Sequence, residues 1–339
     1  MADATEERAS LLRRVLGEKP RRLWCALLTP HRRIAGGVEI DLPHLQAHVR
    51  SIGRYVGGFL IAGTTGDGWD MNDKQFARIV EEAADDTVFP TGVPRMIGAL
   101  AATTKAVLAR AKIVTSIMTT PQPLFALCPP VGANHSEEAI EKHLRTILDA
   151  LAEPVSLYEL PQVTKNHVTP RILERLARRY PRIIMLKDSS GEDAVATAGL
   201  DYGGVFLVRG AESDYARHLV QMGGRYDGLL LSTANNFSPQ LAELMTRVES
   251  GERDKALALS DRLTVQVGRM FEAVGELPFS NIFANANRAM DHLLAFGSRW
   301  SQERGPFSFG GEAIDPDRMK RLADVLRQEN LFPTRGYME

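Results

Sequence analysis

The chain has 339 residues, of which 44% are hydrophobic and 24% are charged. These values are ordinary for a globular protein, and the length suffices for one large domain with an appendage. The 41 basic and 42 acidic residues give a formal net charge of −1. A nucleic-acid-binding protein is expected to carry a basic excess or stripe, so this balance argues against that class.

The N-terminal segment and the cysteines narrow the setting further. The first 22 residues contain acidic side chains and lack the apolar core of a signal peptide, and no apolar run approaches the roughly 20 residues that cross a bilayer. We therefore expect a cytoplasmic protein with no membrane partner. Cys25 and Cys128 lie in apolar runs and form no CxxC pair. We expect both to be buried, and we expect no metal or other cofactor.

Taken in chain order, residues 1–20 are predicted to form a helical extension whose charged cluster is solvated. From residue 21, short apolar runs rich in β-branched residues alternate with amphipathic stretches. Within 42–54, for example, apolar residues recur at spacings of three and four, which is typical of one face of a helix. The eight predicted strands are 23–29, 57–63, 95–101, 124–128, 155–160, 182–188, 205–210 and 227–232.

This alternation predicts an α/β fold. Continuous apolar strands separated by helices indicate a parallel sheet covered on its outside, and eight such units within about 230 residues fit a (β/α)8 TIM barrel over residues 21–250. An open doubly wound sheet is the alternative, but no GxGxxG follows the first strand. Residues 251–339 are predicted to form a C-terminal helical domain, with helices at 252–270, 282–296 and 315–329 and a loop at 298–314.

Lys187 is the first candidate for chemistry, because it ends the apolar sixth strand. Barrel enzymes carry their active sites at the C-terminal ends of the strands. Apolar surroundings disfavour the charged form of a lysine and favour the neutral amine that attacks a ketone. The alternative is a lysine whose ammonium group extends out of the barrel mouth.

Tyr158 and a threonine-containing loop accompany Lys187. Tyr158 ends the fifth strand, where a phenol can transfer protons; the alternative is a packed tyrosine with a satisfied hydroxyl. The second strand runs into Gly-Thr-Thr-Gly-Asp-Gly (63–68), followed by a helix that begins near Asn72. The amides and two hydroxyls of this loop suit a small anion such as a carboxylate.

These three features predict one chemistry. An amine nucleophile, a phenolic proton shuttle and a carboxylate holder are what a 2-keto acid such as pyruvate needs to become an enamine. Because the protonated imine accepts the electrons, no metal is required. The expected second substrate or product is an aldehyde.

The sequence resembles the dihydrodipicolinate synthase / N-acetylneuraminate lyase family of Schiff-base-forming class I aldolases over roughly residues 22–297. GTTGD (63–67) is similar to the family's pyruvate-carboxylate loop, and YELP (158–161) is similar to its YNxP motif. LKDSSGE (186–192) resembles its Schiff-base segment, and SxxxN (232–236) its eighth-strand end. Three ordered motifs on the expected strands make the resemblance specific.

The resemblance implies a role for each candidate residue. Lys187 is implied to form the Schiff base, Tyr158 to act as acid and base, and Thr64 to join the proton relay. The implied or candidate substrate-binding residues, all at the ends of the second and eighth strands, are Gly63, Thr65, Gly66 and Leu231. The resemblance also implies a homotetramer or homodimer.

Three departures from the family pattern concern the second substrate. Val163 stands where the synthase has a carboxylate-binding arginine, CPPVG (128–132) lacks the tyrosine lent to a neighbouring subunit, and NANRAM (285–290) replaces NPxPxK. A lyase or aldolase acting on a sugar acid or aromatic keto acid is therefore favoured over 4-hydroxy-tetrahydrodipicolinate synthase, which stays the alternative. Candidates for second-substrate contacts are Trp69, Glu159 and Glu212, against the alternative of surface packing and solvated charge.

Two other functional classes are alternatives to this one. A metal-dependent aldolase needs histidines and carboxylates at the rim, whereas His44 and His48 lie on the first helix, so we expect an exposed helical pair there. A non-catalytic barrel with a binding or regulatory role is compatible with the altered second-substrate positions. The retained lysine, tyrosine and threonines argue against it.

Overall fold

The computed structural model describes residues 2–120, 122–133 and 135–339, and eight of its strands close into a parallel barrel. The strands in chain order are β1 (Leu23–Ala26), β2 (His31–Ile34), β3 (Gly37–Ile40), β4 (Phe59–Ile61), β5 (Arg95–Gly98), β6 (Leu124–Leu127), β7 (Val155–Glu159), β8 (Ile183–Asp188), β9 (Phe206–Arg209) and β10 (Gly228–Leu231). Strands β2 and β3 form a separate antiparallel hairpin, and the barrel order is β1-β10-β9-β8-β7-β6-β5-β4. The predicted (β/α)8 barrel is confirmed.

The barrel strands are apolar throughout because both of their faces are buried. Side chains alternate along each strand between the barrel interior and the surrounding helices. On β10, Leu230 belongs to the interior cluster, whereas Leu229 and Leu231 belong to the cluster that the helices cover. The same alternation directs Tyr158 into the interior, so it decides which strand-end residues face the barrel mouth.

Helices cover the barrel and continue beyond it. In chain order they are α1 (Ala2–Leu16), α2 (Leu42–Ile52), α3 (Asp73–Ala84), α4 (Thr104–Ile117), α5 (Glu137–Ala150), α6 (Pro161–Thr164), α7 (Pro170–Arg179), α8 (Ala194–Thr197), α9 (Ala234–Glu249), α10 (Arg253–Val274), α11 (Ile282–Phe296) and α12 (Pro316–Gln328). The last three agree with the predicted helices to within four residues. Within the described ranges, no helix is both long enough and apolar enough to cross a bilayer.

Helix α1 packs across the N-terminal end of the barrel. Its apolar side chains contact the interior cluster; they are Leu11, Leu12, Val15 and Leu16. Arg8 is 1% exposed, and its guanidinium donates to Ile183 O at 2.7 Å and to Gly203 O at 2.7 Å. The sequence predicted the helix and its solvated charges, but it did not reveal this buried face.

His44 and His48 are not the exposed pair that the sequence predicted, since they are only 8% and 0% exposed. Asp291 on α11 accepts contacts from His44 Nε2 at 2.9 Å and His48 Nδ1 at 2.8 Å. Burial alone lowers the pKa of His48, but the charge and hydrogen bond of Asp291 together raise it above its usual value. The prediction is wrong because α11 and the chain terminus, through Tyr337, pack onto the polar face of α2.

Candidate active site

Lys187 and Tyr158 are direct neighbours across β8 and β7, where their Cα atoms are register partners. Both side chains therefore point into the barrel, and they are 4% and 2% exposed. Lys187 Nζ donates to the Tyr158 hydroxyl at 2.9 Å and lies 4.1 Å from the centre of its ring. The structure thus brings together the amine and the phenol that the sequence placed on adjacent strand ends.

A cavity of about 210 Å³ opens above this pair. Thr64 and Thr65 line it from the end of β4, opposite Lys187 and Tyr158. Trp69 Nε1 donates to Thr64 Oγ1 at 3.1 Å, so the Thr64 hydroxyl proton stays available to another acceptor. Two predicted catalytic residues and two predicted hydroxyls therefore share one small cavity.

Three predicted substrate-binding residues do not line this cavity. Gly63 and Gly66 form the turn that presents the threonines, because Gly66 N donates to Gly63 O at 3.1 Å. Leu231 is buried against the covering helices, since the strand alternation directs its neighbour Leu230 into the barrel instead. Gly63, Gly66 and Leu231 therefore contribute to the site only through the backbone of the strand ends to which they belong.

The threonine loop is held by a buried ion pair with the C-terminal helices. Asp67 has a left-handed φ of 57° and a fully buried side chain. Arg288 Nη2 on α11 donates to both Asp67 carboxylate oxygens, at 2.8 and 2.9 Å. Burial raises the pKa of Asp67, although the Arg288 charge opposes this. Asn281 Nδ2 also donates to Thr64 O at 3.1 Å, so α11 and the segment before it fix the loop.

Glu212 forms part of the cavity wall, as its place on a rim loop suggested. Its carboxylate accepts hydrogen bonds from Ser232 N at 2.8 Å, Ser232 Oγ at 2.7 Å and Thr233 N at 3.1 Å, and also from Thr233 Oγ1. Its negative charge is therefore held at the N-terminal end of α9, a position that the helix dipole stabilises. Glu212 is a structural anchor that also makes this wall of the cavity anionic.

Glu159 is neither a cavity residue nor a solvated charge, because it is 3% exposed on the outer side of β7. Its carboxylate accepts from Val168 N at 2.5 Å and lies 2.7 Å from His167 Nδ1. Burial and, to a smaller extent, the charge of nearby Asp188 raise the pKa of Glu159 to about 7, against the opposing effect of Val168 N and His167. Adjacent strand positions face opposite sides, so Glu159 faces outward where Tyr158 faces inward.

Sequence reasoning missed three contributors to the site. The Ser189 hydroxyl is buried and has no hydrogen-bond partner among the described residues, and Ser189 lines the cavity. Gly210 leaves the space through which the Lys187 chain passes, since a Cβ there would be 2.9 Å from Lys187 Cε. Phe283 on α11 adds an apolar ring to the mouth. Ser189 lies in the LKDSSGE segment, so the sequence motif could have indicated its role. The roles of Gly210 and Phe283 depend on contacts with residues distant in sequence, which no motif indicates.

The backbone beyond Lys187 is anchored on its outer side. The Tyr226 hydroxyl, which has one proton to donate, lies 2.9 Å from Asp188 Oδ2 and 2.7 Å from Asp193 Oδ1. Arg209 Nε donates to Asp193 Oδ1 at 3.0 Å. Burial raises the pKa of Tyr226, and the two carboxylates raise it further. This network restrains the strand end that carries the amine.

The fold and this cavity define a class of protein: a (β/α)8 barrel with a buried lysine–tyrosine pair at the C-terminal ends of two adjacent strands. The model of the dihydrodipicolinate synthetase family matches residues 19–277, which is most of the chain. The chain therefore belongs to that family of lyases and aldolases, and the predicted resemblance is confirmed.

Curated relatives agree with this assignment, and solved structures share the fold. The chain is 29% identical over 252 residues to 4-hydroxy-tetrahydrodipicolinate synthase of Hyphomonas neptunium, covering 70% of this chain and 78% of that protein. It is 25% identical to the Thermomicrobium roseum protein of the same name, covering 75% and 80%. The E. coli prophage protein YagE, solved in complex with pyruvate, superposes with a TM-score of 0.73 at 19% identity, covering 92% and 99% of the two chains. At that identity the superposition shows the fold alone.

Proposed function

We propose that this protein is a Schiff-base-forming lyase that makes or breaks a carbon–carbon bond between pyruvate, or a related 2-keto acid, and an aldehyde. The observation that carries the proposal is the 2.9 Å contact of Lys187 Nζ with the Tyr158 hydroxyl, beneath a cavity that Thr64 and Thr65 also line. Membership of the dihydrodipicolinate synthetase family supports it, and so does the pyruvate complex of a structural relative.

The first half of the reaction is formation of the Schiff base. The 2-keto acid carboxylate binds at the threonine loop, which brings its C2 carbonyl toward Lys187. The neutral amine attacks C2, and Tyr158 transfers the proton from nitrogen to the carbinolamine oxygen. Tyr158 then donates its own proton to that hydroxyl, which leaves as water, so that a protonated imine and a Tyr158 phenolate remain. Thr64 accepts a hydrogen bond from Trp69, which leaves its own hydroxyl proton free for a relay with Tyr158 across the cavity that both residues line.

The second half is cleavage of the C3–C4 bond. Tyr158 removes the proton of the C4 hydroxyl, the C4–O bond becomes the carbonyl of the leaving aldehyde, and the C3–C4 electrons move into the imine to give an enamine. Protonation at C3 and hydrolysis then release the 2-keto acid and restore the amine. Aldol addition is the same sequence in reverse. The protonated imine accepts the electron pair of the C3–C4 bond when that bond breaks, and the enamine returns the pair to C3 when C3 is protonated.

The cavity favours an uncharged aldehyde. Lys187 is the sole basic side chain among the described residues that line it, and Glu212 makes one wall anionic. Val163, at the position where the synthase has an arginine, offers no charge to a second carboxylate. Leu160 and Phe283 supply apolar surface, and the Ser189 hydroxyl supplies an unused donor. These features favour a sugar-acid or aromatic keto-acid substrate over the synthase reaction.

Borohydride trapping tests the Schiff base. Pyruvate and borohydride are expected to add a reduced pyruvyl group to the wild-type chain and none to Lys187→Ala, as measured by intact mass. Lys112→Ala, which removes an exposed lysine on α4, is the matched control and is expected to be labelled like the wild type. Equal labelling of Lys187→Ala, or no labelling of the wild type, would refute the proposal.

A cleavage assay tests the substrate class. Release of pyruvate from 2-keto-3-deoxy sugar acids and from aromatic 4-hydroxy-2-keto acids is compared with condensation of pyruvate with aspartate semialdehyde. We expect turnover with at least one of the first two classes and a kcat/KM at least about 10-fold lower with the semialdehyde, since its carboxylate meets no cationic side chain in the described part of the cavity other than the Lys187 amine that forms the Schiff base. A semialdehyde preferred over both would establish the synthase alternative instead.

A further inference from the structure

A second, larger cavity lies on the other side of the threonine loop. Its volume is about 430 Å³, and it is enclosed by the β2–β3 hairpin, the start of α2, helix α11 and the segment 302–307. It shares no lining residue with the cavity above Lys187. Nothing in the proposed reaction uses it.

Four arginines line this cavity, Arg32, Arg33, Arg288 and Arg304, against three acids, Asp41, Asp291 and Glu303. Of its acids, Asp41 caps α2 by accepting from His44 N, and Asp291 is held by two histidines. Arg33 and Arg304 line the mouth, and neither makes an ion pair within the described residues, while Glu303 is the one lining acid left at the exposed rim. Arg33 is held in place by Gly311 O, at 2.8 Å from Nη2, and by stacking over the Phe307 ring at 5.0 Å.

The back wall carries buried polar groups. Arg288 is 4% exposed and donates through Nη1 to Phe307 O at 3.1 Å while its Nη2 binds Asp67. The His31 side chain is 3% exposed, and its Nδ1 has no hydrogen-bond partner in the part of the chain that the structure describes. That atom lies 3.7 Å from Asp67 Oδ2, just beyond hydrogen-bonding distance. Burial lowers the pKa of His31 to about 3, so the ring is a neutral donor and acceptor.

Leu28, Phe296 and Phe307 supply the apolar surface of the wall, beside the polar side chains of His44, His292 and Gln302. Cationic groups at the mouth, a neutral imidazole at the back and apolar sides between them suit an anion that carries a carbon skeleton. A bare inorganic anion would leave the apolar sides unused. We propose that this cavity is a binding site for a small organic carboxylate, distinct from the site above Lys187, with Arg33 and Arg304 contacting the carboxylate.

Occupancy of this site is coupled to the proposed active site through one short chain of contacts. Arg288 and His31 line the second cavity and also contact Asp67, which follows Thr64 and Thr65 in the same turn. Asp67 N donates to Thr64 O at 3.3 Å. A ligand that moves the His31 ring toward Asp67 therefore acts on the loop to which we assign the substrate carboxylate. This coupling rests on the proposed function; binding at the second cavity does not.

The experiment uses succinate as the probe and inorganic phosphate as the bare-anion comparison. The wild-type chain is first reduced with pyruvate and borohydride, so that an adduct fills the first cavity, and is then titrated by calorimetry. We expect saturable succinate binding at concentrations up to about 10 mM, weaker phosphate binding, and an affinity at least about five-fold lower in Arg33→Ala and in Arg304→Ala. Arg50→Ala, an exposed arginine on α2 outside the cavity, is the matched control and is expected to bind like the wild type.

The outcomes separate this proposal from the proposed function. Absence of saturable binding, or equal affinity in all three arginine variants, overturns the second site. If borohydride traps no adduct, the same titration in Lys187→Ala still tests that site alone. In unreduced wild-type protein, succinate is expected to change the pyruvate concentration for half-maximal trapping by at least about three-fold, and Arg304→Ala to abolish that change. Succinate that binds without shifting trapping overturns the coupling.

Discussion

Substitution of Gly210 by alanine tests the geometry of the lysine directly. Gly210 follows β9 beside the Lys187 chain, and an added Cβ would lie 2.9 Å from Lys187 Cε, 2.1 Å from Ser189 Oγ and 3.3 Å from Leu230 O. The serine hydroxyl can rotate away. The Leu230 carbonyl belongs to a barrel strand and cannot, so the lysine chain must move.

The size of that movement sets the expected effect. An ordinary contact between such carbons is 3.5–4.0 Å, so Cε must shift by about 0.5–1 Å. Lys187 Nζ has little freedom to compensate, because it is hydrogen-bonded to Tyr158 and packed against its ring. A displacement of about 1 Å at a reacting group costs on the order of 10²-fold in rate. We expect Gly210→Ala to slow pyruvate trapping by about 10- to 100-fold.

The assay is the initial rate of borohydride trapping, with urea unfolding as the check on folding. Gly268→Ala is the matched control: this exposed glycine within α10 has no atom within 4 Å of its added Cβ. The control is expected to trap at the wild-type rate and to gain up to about 1 kcal/mol of stability, as helical alanine does relative to glycine. A folded Gly210→Ala variant that traps at the wild-type rate would show that the lysine does not pass through this space.

Three further predictions concern buried charges, each measured by urea unfolding. The pKa of Glu159 is raised to about 7, so between about pH 4.5 and 7 the folded protein binds more protons at this residue than the unfolded chain does. The free energy of unfolding of the wild type is therefore expected to fall by up to about 3 kcal/mol as the pH rises across that window. Glu159→Gln is expected to flatten this dependence on pH. An equally steep slope in the variant would contradict this. Arg288→Met is expected to lower the free energy of unfolding by about 3–5 kcal/mol, because it leaves the Asp67 carboxylate buried and unpaired. The double variant Arg288→Met/Asp67→Asn is expected to recover part of this loss. A double variant no more stable than Arg288→Met would count against the ion pair. Asp291 raises the pKa of His48, so the His48–Asp291 pair stabilises the fold fully below about pH 6.5 and this stabilisation is lost as pH rises through the folded pKa. Asp291→Asn is expected to be less stable than the wild type at pH 6 and to lack this pH dependence. Identical urea unfolding curves for the two proteins would exclude the pairing.

The sequence predicted the barrel because its strands are buried on both faces. That burial requires continuous apolar runs, and the runs 155–160 and 182–188 contain the observed strands β7 and β8. The alternation of side chains then brings Tyr158 and Lys187 to one interior face, since they are register partners at the ends of adjacent parallel strands. The lysine–tyrosine contact therefore follows from the placement of both residues at the ends of strands that are consecutive in the chain.

Tertiary packing decided the partners of the polar residues. Leu231 and Glu159 lie outside the cavity. Whether a strand residue faces the interior or the helices changes from one residue to the next, and a continuous apolar run does not specify which residue faces which side. Nor did the spacing of His44 and His48 reveal the burial imposed by a helix more than 200 residues away.

By itself, the sequence determined the strand runs, the family motifs and the amine with its neighbouring phenol, because each of these features is recognised from a few consecutive residues. Only the tertiary structure decided that Arg288 holds the threonine loop through Asp67, that α1 closes the barrel floor, and that a second cationic cavity stands behind the loop. These contacts join segments far apart in the chain. Their geometry depends on how the helices pack around the completed barrel, and no short sequence pattern predicts that packing.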